Sequence, residues 1–154
     1  MKNKTPGTFI ISILIPVAVG SVSSLLSGNM SVYQSLNKPP LSPPGFIFPV
    51  VWTILYILMG VSSYIIYLSQ SPTRKKALKI YAVQLAINFF WSILFFRFSQ
   101  YFLSFLWLVL LIAAIIIMIK QFYQIHPSAA LLQVPYLLWC IFAAWLNFMI
   151  FYLN

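Results

Sequence analysis

The 154-residue sequence contains no aspartate or glutamate, and this absence excludes several kinds of function at once. Without a carboxylate there is no carboxylate acid–base pair and no plausible magnesium or calcium site. Cys140 is the only cysteine, which excludes an internal disulfide and a thiolate zinc cluster, so we expect no metal site. Proton-coupled transport usually needs a titratable group inside the membrane, and the single histidine, His126, falls in a predicted loop.

The chain is poor in charge and rich in apolar residues. Nine Lys and Arg supply all of its formal charge, and 62% of its residues are hydrophobic. Soluble domains carry about 25% charged residues. The apolar runs here are about 20 residues long, the length that crosses a hydrocarbon core. The composition therefore predicts an all-α integral membrane protein whose surroundings are the lipid bilayer, with no role in nucleic-acid binding.

Five prolines interrupt the apolar sequence between Leu36 and Trp52. Proline fixes φ, removes a backbone donor and pushes the preceding residue toward extended geometry, so residues 39–44 cannot be helical. Pro49 differs, because it begins a new apolar run and fits the first turn of a helix. We call residues 28–48 the proline loop. A loop this long in a small domain is usually functional, and we expect it to act as a lid through Pro39, Pro43 and Pro44.

The apolar runs divide the chain into five predicted membrane-spanning helices within one domain that covers residues 1–154. The helices are expected at about 8–27, 49–68, 77–96, 101–122 and 129–153. The sequence thus predicts a five-helix transmembrane bundle with a long loop between its first two helices.

The cations predict the orientation of this bundle. If the N-terminus lies inside, Lys38 and Arg97 face outward and seven cations face inward. The inward set is Lys2, Lys4, Arg74, Lys75, Lys76, Lys79 and Lys120. We therefore expect the N-terminus inside, the C-terminus and the proline loop outside, and, from the usage of Lys, Asn and Ile, a bacterial plasma membrane.

Three of the predicted helices carry polar and aromatic residues on one face. The sets are Trp52, Tyr56, Met59 and Ser63; Tyr81, Gln84, Asn88, Trp91 and Phe95; and Tyr136, Trp139, Ala143 and Asn147. Aromatic walls with a few fixed donors suit a large, flat, apolar ligand. The same residues could instead form an interfacial aromatic belt and hydrogen bonds between helices. The residues alone leave both interpretations open.

Three segments resemble a known family. LNKPPLSPPGFIFPVVWTILYILMG, QLAINFFWSILFF and PYLLWCIFAAWLN occur in the order and spacing of the translocator protein family. This family is also called TspO/MBR or tryptophan-rich sensory protein, and in animals peripheral-type benzodiazepine receptor. The resemblance implies a five-helix bundle, often a homodimer, with a lidded pocket. It further implies a receptor for porphyrins such as protoporphyrin IX and for isoquinoline carboxamide drugs, with no required cofactor.

The resemblance also implies roles for individual residues. It implies ligand contacts for Trp52, Asn88, Trp91, Trp139, Ala143 and Leu146. We add Tyr56 to this ligand-binding set because it lies on the aromatic face of the second helix with Trp52. Trp52 and Asn88 would make the polar contacts, and Pro43 and Pro44 would belong to the cover.

Two other functions remain possible at this point. One is light-dependent porphyrin breakdown, with which some relatives are associated and for which Trp139 would be the candidate catalytic residue. The other is passive transport of tetrapyrroles or other amphipathic molecules. Leu41 stands where the family usually has Trp, so a lid contact or photochemical participant is missing. The sequence therefore favours a ligand-binding protein over an enzyme that degrades porphyrins.

Overall fold

The structure is a computed structural model, and it describes residues 4–154. Within that range all regular secondary structure is helical, and five helices are long and apolar enough to cross a membrane. They are Pro6–Ser27, Ile47–Leu68, Arg74–Arg97, Tyr101–Ile125 and Pro127–Leu153. The predicted all-α membrane fold with five spanning helices is confirmed. Lys2, one of the cations used to predict orientation, lies outside the described residues.

The helices, in chain order, are α1 Pro6–Ser27, α2 Ser31–Ser35, α3 Ile47–Leu68, α4 Arg74–Ser92 with a π-helical turn Ile93–Arg97, α5 Tyr101–Ile125, α6 Pro127–Leu131 and α7 Val134–Leu153. Helix α1 packs on α3 and α4, while α5 packs on α4 and α7. We call the end of the bundle that carries the proline loop the loop end, and the end that carries Arg74, Lys75 and Lys76 the basic end.

The proline loop contains a short helix that the sequence did not predict. Helix α2 occupies Ser31–Ser35, and α3 begins at Ile47 rather than at Pro49. Pro49 still lies in the first turn of α3, where a residue without an N–H leaves no bond unmade. The rest of the loop, residues 36–46, has no helix, as the prolines require.

Tyr33 anchors the proline loop to the bundle. Its ring is buried and meets Phe48 edge to face at 5.0 Å between centroids. Its hydroxyl donates to the Pro43 carbonyl at 2.9 Å, and the Lys38 ammonium donates to the Tyr33 carbonyl at 2.8 Å. At the loop's far side, Asn37 and Asn154 exchange two hydrogen bonds of 3.1 and 2.9 Å. The loop is therefore packed onto the bundle.

Two helix boundaries differ from the sequence expectation for identifiable reasons. Helix α4 begins at Arg74 rather than 77, because the Arg74 guanidinium reaches back to the carbonyls of Tyr67 and Ser69 at the end of α3. The expected last helix, 129–153, is two helices separated by a turn at Leu132 and Gln133. Pro135 cannot donate a helical hydrogen bond, so the chain restarts a helix with this proline in its first turn.

Candidate functional site

A cavity of about 400 Å³ lies between α1, α3 and α4 at the loop end. This volume falls within the range of about 300–1,000 Å³ that small-molecule sites occupy. Met30 and Phe48, which lie near the two ends of the proline loop, contribute to the lining of the cavity. The cavity thus lies where the first two spans and the loop between them meet.

Aromatic rings from α3 and α4 form one wall of the cavity. Trp52 stacks on Tyr56 with 5.6 Å between ring centroids and 27° between ring planes. Trp91 of α4 approaches Trp52 at 6.0 Å, and Tyr136 of α7 meets the same indole edge to face at 6.1 Å. Helical spacing places Trp52 and Tyr56 one turn apart, which explains why their rings can stack. The wall presents an extended apolar surface to the cavity.

A chain of side-chain hydrogen bonds begins at this wall. The Tyr56 hydroxyl donates to Asn88 Oδ1 at 2.9 Å, and Asn88 Nδ2 donates to the Tyr136 hydroxyl at 2.9 Å. The Tyr136 hydroxyl in turn donates to Gln84 Oε1 at 2.8 Å. Asn88 therefore both lines the cavity and joins three helices. It makes the hydrogen bonds between helices that the second interpretation expected, and its contact with a ligand stays a prediction.

The opposite wall is rich in hydroxyl groups, and the sequence did not predict it. Helix α1 lines the cavity with Ser21, Ser23, Ser24 and Ser27. Ser92 of α4 lies 2.6 Å from the Ser23 hydroxyl and accepts a hydrogen bond from Ser27 at 2.8 Å. The available signal was the run SVSSLLS, four hydroxyls in the last turns of an apolar span.

Four of the seven residues expected to bind a ligand line this cavity: Trp52, Tyr56, Asn88 and Trp91. The other three belong to α7 and do not line it. Ala143 and Leu146 are buried in the helix-packed core, and Trp139 packs against Phe48 and Phe142. The contact that α7 makes with the Trp52 ring comes from Tyr136, which meets it edge to face. The ligand contacts of these three residues stay a prediction.

Trp139 instead lines a second, shallow groove between α3 and α7. The groove measures about 590 Å³ and is open on one side, and its lining is apolar, with Leu55, Leu58 and Phe142 beside Trp139. Ile54 and Leu138 at its edge are exposed, so this surface belongs to the lipid-facing side of the helices. The expected lid residues Pro39, Pro43 and Pro44 line neither space, and Pro49 is the proline that touches the cavity.

Asn147 holds the far side of the aromatic wall in place. Its Oδ1 accepts hydrogen bonds from the Trp91 indole at 3.2 Å and from the Ser104 hydroxyl at 3.0 Å. Its Nδ2 donates to the Tyr101 carbonyl at 2.7 Å. One amide thus joins α4, α5 and α7 and sets the orientation of the Trp91 ring.

Comparison with known proteins identifies the family. The model of the TspO/MBR family matches residues 12–153. Tryptophan-rich protein TspO of Archaeoglobus fulgidus is 35% identical, with 94% of this chain and 95% of that protein aligned. The protein of the same name from Chlorobaculum tepidum is 34% identical over 99% of both chains. Translocator protein of Ovis aries is 40% identical over 75% of this chain and 70% of its own length. The chain belongs to the TspO/MBR family of integral membrane proteins.

Proposed function

We propose that this protein is a membrane receptor or sensor that binds porphyrins such as protoporphyrin IX, and related flat hydrophobic molecules, in the cavity beneath the proline loop. The observation that carries the proposal is the stacked aromatic wall of Trp52, Tyr56 and Trp91 beside the anchored amide of Asn88. Isoquinoline carboxamide drugs, which are also flat and apolar, would occupy the same space.

Binding would draw on the burial of a flat ring against the aromatic wall. Stacked aromatic pairs contribute about 0.5–1.5 kcal/mol beyond the area they bury. The Trp52 indole N–H and the hydroxyls of the serine wall would orient polar substituents at the ring edge. No ligand carboxylate would meet a like charge, because the chain has no acidic side chains and a formal net charge of +9.

The cations at the loop end support the same ligand class. Arg97 donates a hydrogen bond to the Leu26 carbonyl at 3.1 Å, which places its charge next to the α1 segment that lines the cavity. Lys38 lies within the proline loop, where its ammonium contacts three backbone carbonyls. An amphipathic molecule could place its apolar ring against the aromatic wall and its anionic edge toward these cations. We further propose that the loop end faces outward across a bacterial plasma membrane.

A titration with protoporphyrin IX tests the proposal. The protein in lipid nanodiscs is titrated, and the porphyrin absorbance band is followed in the wild type and in Trp52→Leu and Asn88→Ala variants. Each variant removes a cavity contact, so we expect at least one to weaken binding by about tenfold, equivalent to about 1.4 kcal/mol. Trp145→Leu is the matched control, since Trp145 is 40% exposed and outside the cavity lining. Unchanged affinity in both cavity variants would refute the proposal.

Light-dependent degradation through Trp139 has less support. Trp139 does not line the cavity, and the Phe48 ring lies between it and that space, 5.8 Å from it by ring centroids. Illumination of the porphyrin complex would test this rival function, since bleaching no faster than that of free porphyrin would exclude it. Passive transport would be tested by porphyrin flux into proteoliposomes, compared with empty liposomes.

A further inference from the structure

Three lysines lie together at the basic end, on the face of α4 that points away from the bundle. Lys75, Lys76 and Lys79 are exposed, whereas Ala77 and Tyr81 on the opposite face of the helix are buried. Lys79 follows Lys75 by four residues and Lys76 by three, so the three side chains are neighbours on one helix surface. We call these three residues the lysine cluster.

The lysine cluster has no counter-charge in the protein. The sequence contains no Asp or Glu, and among residues 4–154 the three ammonium groups make no hydrogen bond or ion pair. Other cations do have protein partners, since the Arg74 guanidinium donates to two carbonyls at the end of α3 and the Lys38 ammonium to three in the proline loop. Like charges three and four residues apart destabilise a helix. An anion from outside the protein would relieve this repulsion.

The exposed face of α4 continues from the lysine cluster as an apolar stripe. Its members follow the cluster at helical spacing and are all exposed: Ala82, Val83, Ala86 and Phe90. Lys79 and Phe90 are eleven residues apart, which corresponds to about 16 Å along a helix. Half of a hydrocarbon core about 30 Å thick has nearly this depth. The apolar stripe therefore spans one leaflet of the bilayer, beginning at the lysine cluster.

The geometry of α4 directs the lysine side chains toward the membrane surface. Side chains in a helix lean toward its N-terminus, and α4 has its N-terminus at the basic end. Lys79 lies five residues inside α4, about 7 Å from the start of the helix. Its long stem covers apolar surface while its ammonium stays in the polar layer. The three ammonium groups thus lie at the level of the lipid headgroups.

An anionic phospholipid matches both parts of this face. Clusters of basic residues next to a membrane-spanning helix attract anionic lipids, and the apolar stripe offers a path for an acyl chain. A soluble anion would use the lysine cluster alone. We propose that this face of α4 binds a phospholipid with a negatively charged headgroup, whose phosphate contacts the lysine cluster and whose acyl chain lies along the apolar stripe. The proposal does not depend on which ligand the cavity binds.

Native mass spectrometry tests the headgroup preference. The protein is released from nanodiscs that contain equal amounts of phosphatidylglycerol and phosphatidylcholine with the same acyl chains, and the lipids that remain bound are counted. We expect the wild type to retain phosphatidylglycerol preferentially. Lys79→Gln should lower the bound ratio of phosphatidylglycerol to phosphatidylcholine about fivefold, the equivalent of roughly 1 kcal/mol for one lysine near an anionic surface.

Lys120→Gln is the matched control. Lys120 is also exposed and lies five residues from the basic end of its helix, α5, but it has no second cation three or four residues away. We expect this variant to keep the wild-type ratio. A ratio unchanged by Lys79→Gln, or lowered equally by both variants, would overturn the proposal.

Photo-crosslinking in nanodiscs tests the path of the acyl chain. Phosphatidylglycerol and phosphatidylcholine, each with a diazirine in one acyl chain, are compared by the adducts that they form at Val83 of α4 and Ile117 of α5. These residues are 52% and 55% exposed and lie nine and eight residues from the basic ends of their helices. The ratio of phosphatidylglycerol to phosphatidylcholine adducts should be several-fold higher at Val83. Equal ratios at the two residues would overturn the proposal.

A soluble phosphate distinguishes a lipid site from a general phosphate site. Glycerol 3-phosphate carries the phosphate of the headgroup but no acyl chain. Added in excess, it should leave the retained phosphatidylglycerol unchanged, because it cannot occupy the apolar stripe. Displacement of the lipid by glycerol 3-phosphate would show that the lysine cluster binds phosphate alone, and would overturn the assignment to a phospholipid.

Discussion

Gly20 of α1 lies directly against the phenol ring of Tyr56 in α3, so closely that a Cβ on Gly20 would lie 2.1 Å from Tyr56 Cε2. Both residues line the cavity, and the Tyr56 hydroxyl reaches Asn88 from this position. The missing side chain of Gly20 is therefore what allows the Tyr56 ring to stand between two helices and begin the hydrogen-bond chain.

Gly20→Ala should change ligand binding more than folding. The clash falls on the far end of a side chain, so the Tyr56 ring can turn aside, but it then intrudes on the cavity and loses Asn88. We expect porphyrin affinity to fall about tenfold, measured by titration, with the helical circular dichroism retained. Gly7→Ala is the matched control in the same helix, because no atom lies within 4 Å of its added Cβ. Wild-type affinity in Gly20→Ala would contradict this relationship.

Gly60→Ala should instead destabilise the fold. A Cβ on Gly60 would lie 2.5 Å from Ile13 Cα and 2.7 Å from the Ser12 carbonyl oxygen. These are backbone atoms, so α1 and α3 must move apart, at a cost of about 1–3 kcal/mol. Thermal unfolding in detergent should show a clearly lower melting temperature than in Gly7→Ala. An unchanged melting temperature would mean that the two helices are not in close contact here.

Asn147→Leu should loosen the junction of α4, α5 and α7. The substitution leaves the Trp91 indole without its partner and takes one hydrogen bond each from the Ser104 hydroxyl and the Tyr101 carbonyl, which keep their 3.0 Å bond to each other. We expect a loss of about 2 kcal/mol in unfolding free energy. Ser104→Ala removes the bond from Ser104 to Asn147 and the local bond to the Tyr101 carbonyl, and it should cost about 0.6 kcal/mol. Chemical unfolding of the two variants and the wild type provides the comparison. Equal losses in both variants would show that the amide is not the centre of this junction.

The proline loop should loosen at alkaline pH. Burial raises the pKa of Tyr33 above its ordinary value of 10.0. Because the folded-state pKa exceeds the unfolded value, the stabilisation is fully present below pH 10.0 and is lost as the pH rises through the folded-state pKa. The ionised phenol can no longer donate to the Pro43 carbonyl.

The rate at which an alkaline-active protease cleaves the proline loop, measured below and above the folded-state pKa of Tyr33, reports this loosening. The loop of Tyr33→Phe should be cleaved faster than that of the wild type at neutral pH. Its cleavage rate should also lack the increase at alkaline pH that ionisation of Tyr33 causes in the wild type. Tyr152→Phe, at a tyrosine that is 74% exposed, is the control. A wild-type loop equally resistant at both pH values would refute the role of Tyr33.

The aromatic site was only partly predictable. Trp52 and Tyr56 share one face of a helix by their spacing, as do Asn88 and Trp91, so the two faces could be read from local periodicity. The spacing of residues along one helix does not show which other helix completes the cavity. That depends on how the helices pack. The packing brings the serine run of α1 to the cavity and turns Trp139 of α7 toward a lipid-facing groove.

By itself, the sequence determined that this chain crosses a membrane, with five apolar helices and a stiff loop between the first two. Length, hydrophobicity and proline act locally, so they need no knowledge of the partner helices. The tertiary structure decided two further things. One is the exact start of a helix where a side chain contacts another helix, as Arg74 of α4 does at the end of α3. The other is which helix faces pack against each other. Those outcomes depend on contacts between distant residues, such as Gly20 with Tyr56 and Gln84 with Tyr136, which exist only once the bundle has assembled.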